Sequence, residues 1–316
     1  MSTIGLPYEF EAVVQDVSDK ISQGINLYQA PNVPTKKEHL VPQFMIKSFV
    51  TEAPFYAFIP KSDKIIEQTT TQDVCCKTNE YEMFDENHEI IYRNIIEHDF
   101  LSKTEGLLAP FYRNFLYTAR LSNNVATLLQ QDCNRYALVL LMLMLTLRSP
   151  RNWPKYAKLL EYLAISPLDT DRNTSLLGFA ETMPMFADLA VTTFNFLILR
   201  TPPNTPFILS SRPSFVQITK NVPRARQSQI WTCPIAPDIL VLMTNNEVHP
   251  WTDGSVVNID KHHVDRLNQL LLQDQQTEQF VSTDKALLQK YQQKFKQIAK
   301  PSTIIQESPR LKKIYL

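Results

Sequence analysis

Glycine is almost absent from this chain: five residues in 316, against 21 prolines. Glycine supplies the backbone room that phosphate-cradling loops and left-handed turns need. Its scarcity excludes glycine-rich nucleotide loops, and neither G-x-G-x-x-G nor G-x-x-x-x-G-K-[ST] occurs. Net charge of either sign is missing too, because Lys plus Arg and Asp plus Glu stand at 32 each. That balance gives no global pull toward nucleic acid or an anionic membrane. Cysteine is sparse, with Cys75, Cys76, Cys133 and Cys233 and no C-x-x-C. The adjacent pair is poorly placed for a mutual disulfide, and the usage suits a reducing cytoplasm. The opening "MSTIGLPYEFEAVV" lacks the n-region, h-region and cleavage site of a secretory signal, so a cytoplasmic location is expected. The strongest apolar run, "YALVLLMLMLTL" at 136–147, spans about 18 Å as a helix, short of a ~30 Å hydrocarbon core. It predicts a buried central helix and no membrane.

What is present is a sequence that changes character along its length. Residues 1–34 read as a short helix, "EFEAVVQDVSDKISQGI", and a proline-punctuated linker. "APFYAFIPK" reads as a strand and 61–85 as hairpin and loop. "FDENHEIIYRNIIEHDFLSKTEGLLA" has apolar residues in helical rhythm up to Pro110, which should restart or kink the helix. Further helices are expected over "FYRNFLYTARLSNNVATLLQQ", 134–148 and "KYAKLLEYLAIS". After residue 190 come short β-branched or aromatic runs, "TTFNFLILR", "TPFILSS", "QIWTCPI" and "DILVLMTN", expected to form an antiparallel sheet. "DKHHVDRLNQLLLQDQQ" returns to helix with Asp260 as N-cap, and "STDKALLQKYQQKFKQIAK" is a helix capped by Ser282 or Thr283. The class is α+β: a helical layer on a small antiparallel sheet, largely helical overall. The expected organisation is an N-terminal helix and linker (1–34), one α+β domain (35–284), and a basic helix and tail (285–316).

The stretch "HLVPQFMIKSF", carrying His39, Val41, Pro42, Gln43, Lys47 and Phe49, resembles the start of a bacterial family catalogued as domain of unknown function 4238. Other stretches are similar to its elements in the same order. These are "IIEHDFLSKTEG" with Glu97 and Glu105, "LTLRSP" with Arg148, "FILSSRP", "TCPIAP", and "VDRLNQLLLQDQQTEQFVS" with Asn268. The resemblance covers about residues 36–284. It departs at Ser211, where the family usually carries aspartate.

The residues so marked admit chemical and structural roles alike. His39 leads an extended Val-Pro step and suits a general base or metal ligand; equally, it could bond a backbone carbonyl and lock the linker. Glu97 and Glu105, eight apart, lie about 80° apart on an α-helix and could share a divalent cation or a proton; they also suit a solvated face. Arg148, after twelve apolar residues, could clamp phosphate bidentately or cap the helix dipole. Asn268 beside an apolar face could position a ligand or fix a loop. His262-His263 diverge by about 100° and do not make a metal pair. Cys133 and Cys233 lack a catalytic signature, and Ser210-Ser211 no nucleophile elbow. From 285 onward eight Lys/Arg oppose only Glu307, a stretch that suits nucleic acid or a protein partner. Two functions follow. One is a metal-assisted, nuclease-like hydrolase of a phosphate-containing substrate, nucleic acid or nucleotide, with Mg²⁺ or Mn²⁺, in bacterial defence or as a toxin-like effector. There His39 is base, Glu97 acid or metal ligand with Glu105, Arg148 clamp and Asn268 positioner. The other is a non-catalytic binding or regulatory protein in which these residues are structural.

Overall fold

The computed structural model describes residues 6–22, 37–51, 54–68, 70–78, 80–84, 90–92, 95–148, 172–218, 229–245, 251–274 and 277–298. Within them the class is α+β, with eight α-helices (α1–α8) and thirteen short strands (β1–β13) in chain order. The chain forms two compact units: 1–42, 76–117 and 127–194 in the first, 43–75, 118–126 and 195–316 in the second.

The first unit is built on α5, Asp132–Leu147, whose residues from Tyr136 to Leu145 are all buried. A helix apolar on every side must be enclosed on every side. Against it pack α1 (Leu6–Ser22) and α6 (Arg172–Thr193). Phe10 of α1 is fully buried, its ring 6.0 Å from Phe100 and 6.4 Å from Tyr136. Arg135 ties α5 to the carboxyl end of α6, donating to the carbonyls of Val191 (2.7 Å) and Phe194, where the helix dipole is negative.

Two expectations are corrected here. Ile90–Tyr92 is not helix but strand β6, paired with β5 (Met83–Phe84), because a β-branched pair beside tyrosine suits a ladder once a partner exists. Helix begins instead as a π-helical segment, Ile95–Ser102, and continues as α3, Lys103–Leu121. Pro110 neither ends nor restarts α3. A proline costs a helix one hydrogen bond and crowds the carbonyl four residues back; here α3 continues past it to Leu121, with Phe111, Tyr112, Phe115 and Leu116 buried. The helix expected over "KYAKLLEYLAIS" lies outside the described residues.

The second unit holds two sheets. One runs β12 (Ser255–Asn258), β7 (Asn195–Arg200), β11 (Ile239–Thr244), β10 (Gln229–Ala236), β9 (Phe215–Ile218). The three expected runs in it, β7, β11 and β10, pair antiparallel, and β12 adds a parallel edge to β7; "TPFILSS" instead supplies β8 (Leu209–Ser210) of the other sheet. The other is antiparallel: β3 (Lys64–Gln68), β2 (Phe55–Ile59), β13 (Phe280–Ser282), β8. Helices α7 (Lys261–Leu272) and α8 (Lys285–Ile298) enclose Phe58, Ile208, Leu272, Phe280, Leu288 and Tyr291 in an apolar cluster. Each such side chain contributes about 1.5–3 kcal/mol by leaving water. Asp260 caps α7 as expected, accepting from His263 N–H at 2.9 Å. For α8 the cap is Asp284, which accepts from Leu287 N–H at 3.0 Å, while Ser282 accepts from Asp284 N–H one turn earlier. Gly254 (φ +76°) lets the chain pass so close to Ala126 that a Cβ would stand 2.7 Å from its backbone nitrogen.

Candidate functional site

The residues gathered in the first unit meet around two-residue strand β1, Glu38–His39, which pairs antiparallel with β4, Cys76–Lys77. Arg148 reaches this strand from the end of α5, with its side chain 1% exposed. Its Nη1 donates to the His39 carbonyl at 3.1 Å, and its Nη2 is ion-paired with Glu105 of α3. The His39 backbone N–H bonds in turn to the carboxyl of Glu97 on the π-helical segment. The main chain of His39 is therefore held on both sides, amide by Glu97 and carbonyl by Arg148, while the residue itself is half-buried. Glu38, fully buried, accepts from Tyr81 N–H at 2.8 Å, and the Tyr81 hydroxyl donates to the Arg148 carbonyl at 3.4 Å.

Carboxyl groups outnumber cations in this cluster. Glu38, Glu80, Glu82 and Glu97 are buried and Glu105 is nearly so, facing Arg148 and a lysine, Lys77, that lies 2.6 Å from Glu80. Burial pushes Glu38 up to about 8, with Glu97 and Glu82 adding repulsion against the pull of the Tyr81 N–H. Burial likewise pushes Glu97 up to about 7, although the Arg148 guanidinium draws it down. Burial opposes the charge on Arg148, but Glu105, Tyr81 and Glu97 together more than restore it. Of the seven buried side-chain polar atoms without a hydrogen-bond partner among the described residues, three lie in this cluster: Glu38 Oε1, Glu97 Oε2 and Arg148 Nε. Buried polar atoms are nearly always paired, so this concentration marks the cluster as unusual.

Asn268 belongs to the second unit, on α7. Its Oδ1 accepts from Ile208 N–H at 3.0 Å, and its Nδ2 donates to the Pro206 carbonyl (3.1 Å) and the Tyr291 hydroxyl (3.0 Å). Tyr291 passes its own proton to Asp265 at 2.9 Å, and Asp265 holds Lys290 at 2.6 Å. The amide thus ties the 206–208 segment to both helices.

A family profile described as "Protein of unknown function (DUF4238)" matches residues 37–286. The chain belongs to this family. Against curated proteins and against solved structures it has no significant match. The stretch shared with DUF4238 contains every residue of the cluster as well as Asn268, and leaves α1 and most of α8 outside.

Residue by residue, His39, Glu97, Glu105 and Arg148 come together, while Asn268 makes its contacts within the second unit. Arg148 grips the protein's own backbone at the place where a substrate phosphate was expected. The pair Glu97 and Glu105 does not fit a metal: Glu105 already faces a guanidinium, and no group of three or more His, Cys, Asp or Glu among the described residues is arranged to hold an ion. Ser211, standing where DUF4238 usually has aspartate, accepts from the N–H groups of Glu278 (3.0 Å) and Gln279 (3.3 Å). A carboxylate could do the same, so the exchange keeps a loop anchor. On α8, Lys290 and Lys296 pair with Asp265 and Asp63, and Lys285 and Lys294 lie over Tyr56 and Tyr291; the tail beyond lies outside the described residues. No described helix is long and apolar enough to cross a membrane. Glu38 and Tyr81 escaped sequence reasoning. The available signal was an acid immediately before the His-Leu-Val-Pro-Gln stretch, a place where an ionised side chain has no business being buried.

Proposed function

We propose that this DUF4238 protein is a hydrolase of nuclease type, acting on a phosphate-containing substrate, nucleic acid or nucleotide, in the cytoplasm. One observation carries the proposal: Glu97 presents one carboxyl oxygen to the His39 amide and leaves the other buried without a partner, in a setting whose burial pushes the group up to about 7. A carboxyl poised near neutral can give and take a proton within one cycle. In this assignment the half-buried His39 acts as base toward water and Glu97 as the acid that protonates the leaving oxygen, while Arg148, steadied by Glu105, holds the strand. The phosphate-bearing substrate is supported by the excess of Lys and Arg in the sequence from 285 onward, which would also serve a protein partner. A role in bacterial defence, or as a toxin-like effector, is a setting that fits such an activity by analogy.

The test is Glu97→Gln, which keeps the acceptor for His39 N–H but cannot titrate. Wild type and variant are assayed on RNA, DNA and nucleotides, with and without Mg²⁺ or Mn²⁺. Turnover should fall about 10²–10⁴-fold with no loss of melting temperature. Equal rates in both proteins, or no turnover by wild type on any substrate, would sink the assignment. A second reading, a binding or regulatory protein with the same residues structural, is favoured by the inward use of Arg148 and Asn268. Its signature is binding to one of those substrates without cleavage.

A further inference from the structure

Glu38 is named by no motif, yet it closes a circuit. Its Oε2 accepts from Tyr81 N–H at 2.8 Å, the Tyr81 hydroxyl donates to the Arg148 carbonyl at 3.4 Å, and Arg148 Nη1 donates to the His39 carbonyl at 3.1 Å. His39 is covalently next to Glu38, so the ring is complete. Every side chain in it is buried except the imidazole.

The groups facing Glu38 come from all sides. Lys77, Glu80, Tyr81 and Glu82 lie on and after β4, Glu97 on the π-helical segment, Glu105 on α3 and Arg148 at the end of α5. Arg148 is already occupied by Glu105, and Lys77 by Glu80. Among the described residues both cations of the cluster are thus paired, and Glu38 Oε1 has no partner and no exposure to water. An isolated buried carboxylate is far costlier than a buried carboxylic acid.

We propose that Glu38 is a positioning residue of this site that works as a neutral acid, pinning β1 to Tyr81 so that the His39 amide meets Glu97 and its carbonyl meets Arg148. The inference rests on the assignment of His39 and Glu97 as the acting groups, but it is a statement about protonation and can be tested without turnover. Its sign follows from linkage. Unfolded, Glu38 ionises near the ordinary glutamate value of 4.5; folded, it holds its proton to about 8. Across that window the native chain binds the extra proton, so stability falls as pH rises.

The experiment uses the full chain with ¹³C-labelled glutamate, reading the Glu38 Cδ shift from pH 4 to 10, assigned against Glu38→Gln. A midpoint at or above 7 is expected; a carboxylate already ionised at pH 6 overturns the proposal. In parallel, melting temperature is followed from pH 5 to 9 for wild type and Glu38→Gln. Wild type should keep losing stability up to about pH 8, whereas Glu38→Gln, which retains the acceptor for Tyr81, should level off near 7 as only Glu97 remains to titrate. A merely structural Glu38 predicts instead a constant offset between the two curves, and that result overturns it. If Glu38→Gln fails to fold, the shift of Cδ in wild type decides, with assignment from the remaining glutamate variants. Failure of the hydrolase assignment would appear only in the Glu97→Gln assay and would leave this titration unchanged.

Discussion

The two units each bury a polar network, and the networks are opposites. Around Asn268 the amide oxygen has one donor, the amide nitrogen two acceptors, and Tyr291 and Asp265 pass the chain of bonds outward to Lys290 at the surface. Around Arg148 two cations, Arg148 and Lys77, face five carboxyls, and three buried atoms have nothing to bond. Both networks tie a helix to a strand or loop, so fixing the fold does not by itself call for unpaired atoms. A network that only holds a fold can be saturated, as the second one is. The unsaturated one retains buried carboxyls whose protonation state can change, and on this the proposed hydrolase assignment rests.

The comparison can be broken most forcefully at the buried cation. Arg148→Met leaves Glu105 and Glu97 without a counter-charge in a buried site and should cost about 3–5 kcal/mol, measured by denaturant unfolding at pH 7. Adding Glu105→Gln should return part of that loss; no loss in the single variant would mean that the carboxyls are already neutral. Next in size, Asn268→Leu strands the Ile208 N–H, the Pro206 carbonyl and a partner of Tyr291, at a cost of about 3 kcal/mol. That cost should be the same at pH 5 and pH 8, whereas the first network's contribution changes across the same interval. The smallest effect sharpens the contrast. Burial tends to raise the Asp265 carboxyl, but hydrogen bonds from Lys290 and Tyr291 outweigh it and hold the group below its ordinary value of 3.8. Its contribution is present above that pH and lost as pH falls through the folded value. Asp265→Asn, which keeps the acceptor for Tyr291, should lower stability at pH 7 by no more than about 1 kcal/mol, and the difference should shrink as pH falls below 3.8. The two networks thus fail in opposite directions, one toward alkali and one toward acid.

Sequence reading reached the large features because they depend on long apolar patterns. The enclosed α5, the strands after residue 190, the apolar faces of the last two helices and the cap of α7 follow from periodicity and from Asp260. Glu97 and Arg148 were legible because each interrupts or ends an apolar run. Asn268 was legible as a buried amide, and its neighbours supply the loop-fixing use. What escaped was local structure decided by distant partners. Ile90–Tyr92 carries helix-compatible spacing, and only the pairing with Met83–Phe84 makes it a strand. Tyr81 lies in a polar stretch read as loop, and nothing nearby in sequence announces that its hydroxyl meets Arg148. Glu38 was hidden because charge is read from sequence as exposure, and its burial is set by residues more than forty positions away. The cap of α8 was missed by one or two residues because three candidate capping side chains stand in a row at 282–284.

The wide turn at Ile95–Ser102 has a consequence for how this chain can vary. In a π-helix each backbone bond spans one residue more than in an α-helix, so the segment stores an extra residue without breaking. Excising a single position there would let the coil tighten to ordinary pitch and swing Glu97 away from the His39 amide, with no side chain replaced. The acid at this spot is therefore guarded by the length of its segment as much as by its identity, and a relative could lose the function through a three-nucleotide gap that a residue-by-residue comparison would score as harmless.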